Sequence, residues 1–120
     1  MKPRLFVLAA ALSMGACAIQ PSLNEAGVGQ NTRGEPVTGL FVFSGQTKIF
    51  NISIDSPKGW SCRSTFEQST PAQPRRQEPL ICNDGRSGTA IYTINRDQGQ
   101  IVASFRLTDG ESGQVTFGRL

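Results

Sequence analysis

The sequence predicts an all-β domain: a small antiparallel meander of six to eight short strands that closes as a barrel or folds as a sandwich. Apolar and polar residues alternate in several runs, which is the pattern of a strand with one buried face. Turn residues separate these runs at intervals of about ten residues. No stretch shows a sustained helical period of 3.6. We place this domain at residues 37–120.

The first three predicted strands lie between residues 39 and 66. "GLFVF" is continuously apolar and is typical of a central strand. "KIFNISID" places Phe50, Ile52 and Ile54 on one face. "GWSCRSTF" aligns its alternate residues on another inward face: Trp60, Cys62, Ser64 and Phe66.

Three further strands follow. "GTAIYTIN", residues 88–95, is rich in β-forming residues, but its inward face is ambiguous. "QIVASFRL" and "GQVTFG" both alternate and direct Phe105, Val115 and Phe117 inward. Asn-Asp-Gly at 83–85 and Asp-Gly at 109–110 predict tight reversals, because glycine adopts positive φ freely.

The segment "EQSTPAQPRRQEP", residues 67–79, predicts a long surface loop, because it has three prolines and no hydrophobic period. Arg75 and Arg76 lie on this loop and are a possible partner contact, for phosphate, glycan or an acidic protein surface. The alternative is a solvated tip accessible to proteases.

One short motif occurs twice. "DGRSGTAIY" at residues 84–92 matches "DGESGQVTF" at 109–117. Either a hairpin was duplicated or the same turn chemistry arose twice, and two short matches favour the second explanation.

The amino terminus has the layout of a secretory signal. Lys2 and Arg4 precede the apolar run Leu5–Leu12, and small residues follow it. The run is shorter than the roughly 20 residues that a transmembrane helix needs.

Met14-Gly15-Ala16-Cys17 resembles the lipobox of bacterial lipoproteins. The resemblance implies that residues 1–16 are a signal peptide and that Cys17 becomes the lipidated first residue. Met14 stands where the family usually has Leu. Ala18, rather than Asp, implies sorting to the periplasmic face of the outer membrane. Residues 17–36 then form the lipidated amino terminus and a flexible tether.

With Cys17 acylated, Cys62 and Cys82 remain as a pair in an oxidising compartment. Their spacing is unlike C-x-x-C, and no histidine is available to complete a zinc site. We therefore predict a structural disulfide, worth about 3 kcal/mol in the chain-entropy treatment.

Charge argues against nucleic acid as a partner. Loss of Lys2 and Arg4 lowers the number of basic side chains from 12 to 10, against 9 acidic ones. This mature domain lacks the basic excess that phosphate binding requires. The remaining partners are the membrane, through the lipid, and an envelope protein.

The sequence has no histidine, so Ser-His-Asp and Cys-His catalysis cannot occur within this chain. Asp55, Asp84, Asp97 and Asp109 all lie in predicted turns, where Asp is expected for backbone reasons. We predict no catalytic residue, no metal and no cofactor.

Gly59–Cys62 and Pro79–Gly88 resemble small Gram-negative lipoproteins of unknown function, which implies no activity. We expect a binding or accessory module of the cell envelope. The alternatives are an envelope hydrolase that uses carboxylates and a small protease inhibitor that uses the 67–79 loop.

Overall fold

The computed structural model describes residues 22–69, 73–95 and 97–118, which form eight strands. They are β1 (Leu23–Asn31), β2 (Pro36–Ser44), β3 (Ile49–Asp55), β4 (Ser61–Glu67), β5 (Arg75–Cys82), β6 (Ser87–Asn95), β7 (Gln100–Leu107) and β8 (Ser112–Phe117). Each strand pairs antiparallel with the next, and β8 pairs with β1. The predicted antiparallel meander is confirmed, and it closes as a barrel. Residues 1–16 and Cys17 lie outside the described residues.

The interior is filled by the inward side chains of alternate residues, as in other small barrels. Phe43 and Phe117 are the largest side chains that are fully buried. The core also settles the inward face of β6, where Ala90 and Tyr92 are buried and Thr93 is exposed.

Strand β2, predicted from its continuous apolar run to be a central strand, lies between β1 and β3 and is buried on one face. Phe41 and Phe43 point into the core, whereas Leu40 is 42% exposed. The reason is that a single closed sheet has one inner face and no second layer outside it.

Strand β1 corrects the predicted tether of residues 17–36. Leu23–Asn31 is paired on both sides, with β2 and with β8, so the barrel begins well before residue 37. The inward positions include Gly27 and Gly29, which contribute no side chain. The strand therefore lacks the apolar alternation that sequence analysis detects.

Phe117 of β8 fills the space beside Gly27 of β1 and Gly39 of β2. Gly27 pairs with both Gly39 and Phe117. A Cβ atom on Gly27 would lie 2.7 Å from Cδ1 of Phe117, and one on Gly39 would lie 2.9 Å from its Cε1. The Phe117 ring therefore occupies the core space beside two neighbouring residues that have no side chain.

The up-and-down order gives the barrel two distinct ends. The polar end consists of the turns at 32–35, 56–60, 83–86 and 108–111. The aromatic end consists of residue 22, the turns at 45–48 and 97–99, and the described parts of the β4–β5 connection at 68–69 and 73–74. The Phe50 and Phe66 rings lie beside it, near the start of β3 and the end of β4.

Candidate functional site

Arg86 organises the polar end. Its Nη1 donates to Asp109 Oδ2 at 2.9 Å and to Glu111 Oε1 at 2.8 Å, and its Nε donates to Asp84 Oδ2 at 2.8 Å. The guanidinium carbon lies 5.2 Å from the centre of the Trp60 ring. The planar donors of arginine suit several carboxylates at once, so one side chain joins the β5–β6 and β7–β8 turns.

The two turns that Arg86 joins are the two copies of the repeated motif. Gly85 and Gly110 occupy equivalent positions, with φ of 88° and 93°. Both copies therefore use glycine for the same left-handed backbone geometry. Arg86 in the first copy contacts Glu111, the residue at its own equivalent position in the second.

A second cluster extends this network to the β1–β2 turn. Asn31, 5% exposed, donates from Nδ2 to Glu35 Oε1 at 2.7 Å and to Glu111 Oε2 at 3.2 Å. Its Oδ1 accepts the backbone N–H groups of Arg33 and Glu35. Lys58 forms an ion pair with Glu35. Sequence analysis missed this cluster because Asn31 and Glu35 fell within the predicted tether.

These contacts hold the polar end in its charged state. Lys58, followed by Asn31, lowers the pKa of Glu35 from 4.5 to about 2. The backbone N–H of Glu111, with Arg86, lowers the pKa of Asp109, and Glu111 above all raises the pKa of Arg86. The ionised forms of Glu35 and Asp109 are therefore favoured beside cations, unlike a general acid whose pKa is raised.

The carboxylates that were candidates for catalysis lie apart or share a cation. Asp84 and Asp109 both bind Arg86. Asp55, at the end of β3, accepts hydrogen bonds from Ser53 and Ser61. Asp97 is exposed in the β6–β7 turn. Within residues 22–69, 73–95 and 97–118, no cluster of three or more His, Cys, Asp or Glu side chains is placed to hold a metal.

The aromatic end is closed by ring packing instead of charge. Phe50 stacks on Phe66 with ring centres 5.2 Å apart, and it contacts Phe43 at 4.6 Å. Phe66 contacts Tyr92 at 5.6 Å, and the guanidinium carbon of Arg76 lies 4.7 Å from its ring centre. Such contacts add about 0.5–1.5 kcal/mol each to the burial of the rings.

A cavity of about 80 Å³ lies beneath these rings, and its lining includes Phe41, Ile52 and Ile101. It is smaller than the roughly 150 Å³ cavity that admits benzene. It is also well below the roughly 300 Å³ at which cofactor and drug sites begin. The barrel is therefore filled by its own side chains.

The seam between β4 and β5 is the weakest ladder of the barrel. We define it by residues 61–67 of β4 and by residues 75–83, which are β5 and the first residue of the turn that follows it. Strand pairing covers Cys62 with Cys82 and Arg63 with Ile81, whereas the ladder between β3 and β4 runs along both strands. A groove of about 590 Å³ lies on the outer face of the half of the seam nearer the polar end, between residues 61–65 and residues 79–83.

The disulfide between Cys62 and Cys82 is confirmed, and it crosses this seam. The two Cα atoms are 3.9 Å apart, at directly opposite positions of β4 and β5. Both residues are buried. The covalent link therefore joins the two strands near the polar end, where they also pair.

The predicted loop at 67–79 is wrong in its second half. Arg75 and Arg76 lie in β5, so they are not at a loop tip, and β4 continues to Glu67. Arg75 is exposed, whereas Arg76 points inward, forms an ion pair with Glu78 and contacts Phe66. The strand was missed because its inward positions begin with charged residues, so no apolar alternation marks it.

No protein-family model matches this sequence, and no curated protein or solved structure is significantly similar to it. In the part of the chain that the structure describes, no helix has the length and apolar character needed to cross a membrane.

Proposed function

We propose that this chain is a lipoprotein of the outer membrane, facing the periplasm, whose barrel is a binding or accessory module of the cell envelope. Two features support this: the lipobox-like Met14–Cys17 and the early start of β1. An acylated Cys17 with two or three chains would be held firmly, since each buried methylene contributes about 0.8 kcal/mol.

The lipobox-like Met14–Cys17 carries the proposal, and the point where the chain enters the barrel gives the anchor an orientation. β1 begins at Leu23, and the Ser22 hydroxyl accepts the N–H of Gly45 in the β2–β3 turn. Residues 18–22 span at most roughly 20 Å when fully extended. An acyl group on Cys17 would therefore keep the aromatic end close to the membrane and direct the polar end away from it.

This geometry also distinguishes the surfaces available to a partner. The charges at the polar end are largely paired with one another, and the aromatic end faces the lipid. The flank of the barrel, which includes the seam and its groove, remains accessible from the periplasm. A module held this way presents its side to neighbouring envelope proteins.

Acylation is tested with the full chain expressed in a Gram-negative host, wild type against Cys17→Ala, with Ser13→Ala as a matched change in the same segment. We expect the wild type and Ser13→Ala to incorporate alkynyl palmitate, to lose residues 1–16 by intact mass and to sediment with outer membranes. Cys17→Ala should do none of these. Unacylated wild-type protein in the soluble periplasm would overturn the proposal.

Orientation is tested by attaching a fluorophore at Gln46 of the aromatic end or at Thr32 of the polar end, in the acylated protein reconstituted into vesicles. Nitroxide-labelled lipids should quench the probe at Gln46 more strongly than the probe at Thr32. Equal quenching at the two positions would contradict the predicted orientation.

A further inference from the structure

We propose that the β4–β5 seam accepts an additional strand: an extended, acidic peptide segment of a partner protein. The inference rests on the proposed binding role, but not on the lipid anchor. It follows from three observations: which residues of the two strands direct their backbone groups into the seam, the position of Pro79, and the charges beside the groove.

The backbone groups of β4 alternate between β3 and β5, as they do in any antiparallel strand. Gln68 donates its N–H to Lys48 O at 2.8 Å, so even-numbered residues of this strand bond toward β3. Asn83 donates to Ser61 O at 2.9 Å, so odd-numbered residues bond toward β5. The N–H and C=O groups of Thr65 and Glu67 are therefore directed into the seam.

The same alternation applies to β5. Cys82 donates to Arg86 O at 3.0 Å and Ile94 donates to Pro74 O at 2.8 Å, so even-numbered residues bond toward β6. The backbone groups of Arg75 and Gln77 are therefore directed toward β4. Beyond Arg63 and Ile81, no strand pairing joins these two edges, and their backbone groups face each other across the seam.

Pro79 explains why these edges are not joined. Arg63 pairs with Ile81, so the next bonding position of the ladder would place Thr65 opposite Pro79. Proline has no N–H to donate there, and it terminates ladders inside sheets. The Ser64 hydroxyl donates to the Pro79 carbonyl at 2.8 Å, while Ser64 Oγ accepts the Tyr92 hydroxyl at 2.8 Å. These side-chain bonds replace strand pairing at this point.

The interior remains covered behind the open edges. Arg76 pairs with Glu78 on the inner side, and its guanidinium lies over the Phe66 ring. An incoming strand would meet backbone edges on the outside and this layer behind them. Main-chain hydrogen bonds give affinity in such strand addition, and side chains that alternate along the strand give specificity.

The outer face indicates the chemistry of the partner. Ile81 is 71% exposed beside the groove and offers an apolar contact. Arg63 and Arg75 are exposed near the two ends of the seam, and among the described residues neither forms an ion pair. Glu67 is the exposed carboxylate of the two edges, so cations exceed anions there. An extended segment with carboxylates and aliphatic side chains is complementary to this surface.

The test uses the full mature protein in detergent and a synthetic heptapeptide of alternating Glu and Val. We expect the peptide to slow amide hydrogen exchange at Thr65, Glu67, Arg75 and Gln77 at least tenfold, measured by nuclear magnetic resonance. A peptide of alternating Lys and Val, and the Glu–Val peptide N-methylated at alternate residues, should give no protection. Equal protection by the N-methylated peptide would overturn strand addition, and equal protection by the Lys peptide would overturn the preference for acidic segments.

The matched variants are Pro79→Val and Pro36→Val. Pro79→Val restores an N–H that can extend the ladder to Thr65, so the peptide should bind at least tenfold more weakly. Pro36 begins β2 opposite Gln30 on the other side of the barrel, so Pro36→Val should bind like wild type. If Pro79→Val is folded and binds unchanged, the inference is wrong. Failure of peptide binding in a protein that is acylated and in the outer membrane would reject the seam site and leave the proposed anchoring intact.

Discussion

The two ends of the barrel are closed by different kinds of interaction. At the polar end, Arg86 and Asn31 join separate turns through hydrogen bonds and ion pairs, and the Cys62–Cys82 disulfide lies close by. At the aromatic end, Phe50 stacks on Phe66 and Arg76 lies over the Phe66 ring, and the adjoining half of the seam lacks strand pairing. Polar contacts specify which turns meet at the polar end, whereas the aromatic end is held mainly by tilted and stacked ring pairs.

This difference has a consequence for how the barrel can open. The disulfide and the paired residues fix β4 to β5 near the polar end. The strand edges that could receive a partner lie toward the aromatic end, where packing is the main restraint. Local opening is expected in regions with few cooperative contacts. The following predictions disturb one end at a time, beginning with the largest expected effect.

Phe117→Ala disrupts the packing that supports the aromatic half. The ring is fully buried and covers Gly27 and Gly39, so its loss leaves a cavity beside two residues that have no side chain. We expect the free energy of unfolding in urea to fall by about 3–5 kcal/mol. Val28→Ala, at a position 71% exposed on β1, should change it by less than about 0.5 kcal/mol. Equal effects of the two changes would contradict the burial of Phe117.

Replacement of Cys62 and Cys82 together by Ala removes the covalent link across the seam. We expect a loss of about 2–4 kcal/mol in the free energy of unfolding, because the unfolded chain gains conformational freedom. Amide exchange should also become faster at Arg63 and Ile81, which pair beside the disulfide. Unchanged exchange at those two amides would show that strand pairing, without the disulfide, is enough to stabilise the paired part of the seam.

Arg86→Met removes the cation at the centre of the polar end. Three carboxylates then lose their shared donor, and we expect the free energy of unfolding to fall by about 1–3 kcal/mol. Arg106→Met, at an exposed arginine of β7, is the matched control and should have little effect. The difference between the two variants should decrease at high salt. A salt-independent loss would mean that contact with Trp60, not charge, is the main contribution.

Tyr92 is expected to make the stability of the folded protein decrease at alkaline pH. Burial, above all, raises its pKa from 10.0 to about 12. The neutral phenol is favoured in the folded state, so this contribution to stability is complete below pH 10 and is lost as the pH rises through about 12. Because the chain has one tyrosine, phenolate absorbance reports Tyr92 alone. A titration midpoint near 10 in the folded protein would contradict this prediction.

Glu35 is expected to make the stability of the folded protein decrease at acid pH, and this is the smallest of the expected effects. Its folded pKa of about 2 lies below the ordinary 4.5. Its contribution is therefore present above pH 4.5 and is lost as the pH falls through about 2. Urea unfolding between pH 6 and pH 2 should show a shallower decline for Glu35→Gln than for wild type. Identical slopes would show that Lys58 and Asn31 do not stabilise this carboxylate.

Sequence patterns predicted the strands whose own side chains fill the core. β3, β7 and β8 alternate because Ile52, Phe105 and Phe117 each point inward. β1 and β5 were missed because their inward positions carry glycine or charged residues instead. The same holds for the β4–β5 seam. Its cysteine pair was predicted from the sequence, whereas the role of Pro79 depends on a strand register that no local pattern encodes.

Local patterns in the chain were enough to predict the period of the strands, the glycine-dependent turns and the pairing of two cysteines. Tertiary structure alone decided that β8 returns to β1, that Phe117 occupies the space above Gly27, and that Arg86 joins two turns. The physical reason is that these contacts join residues far apart in the chain. Their partners are chosen by closure of the barrel and not by the neighbouring residues.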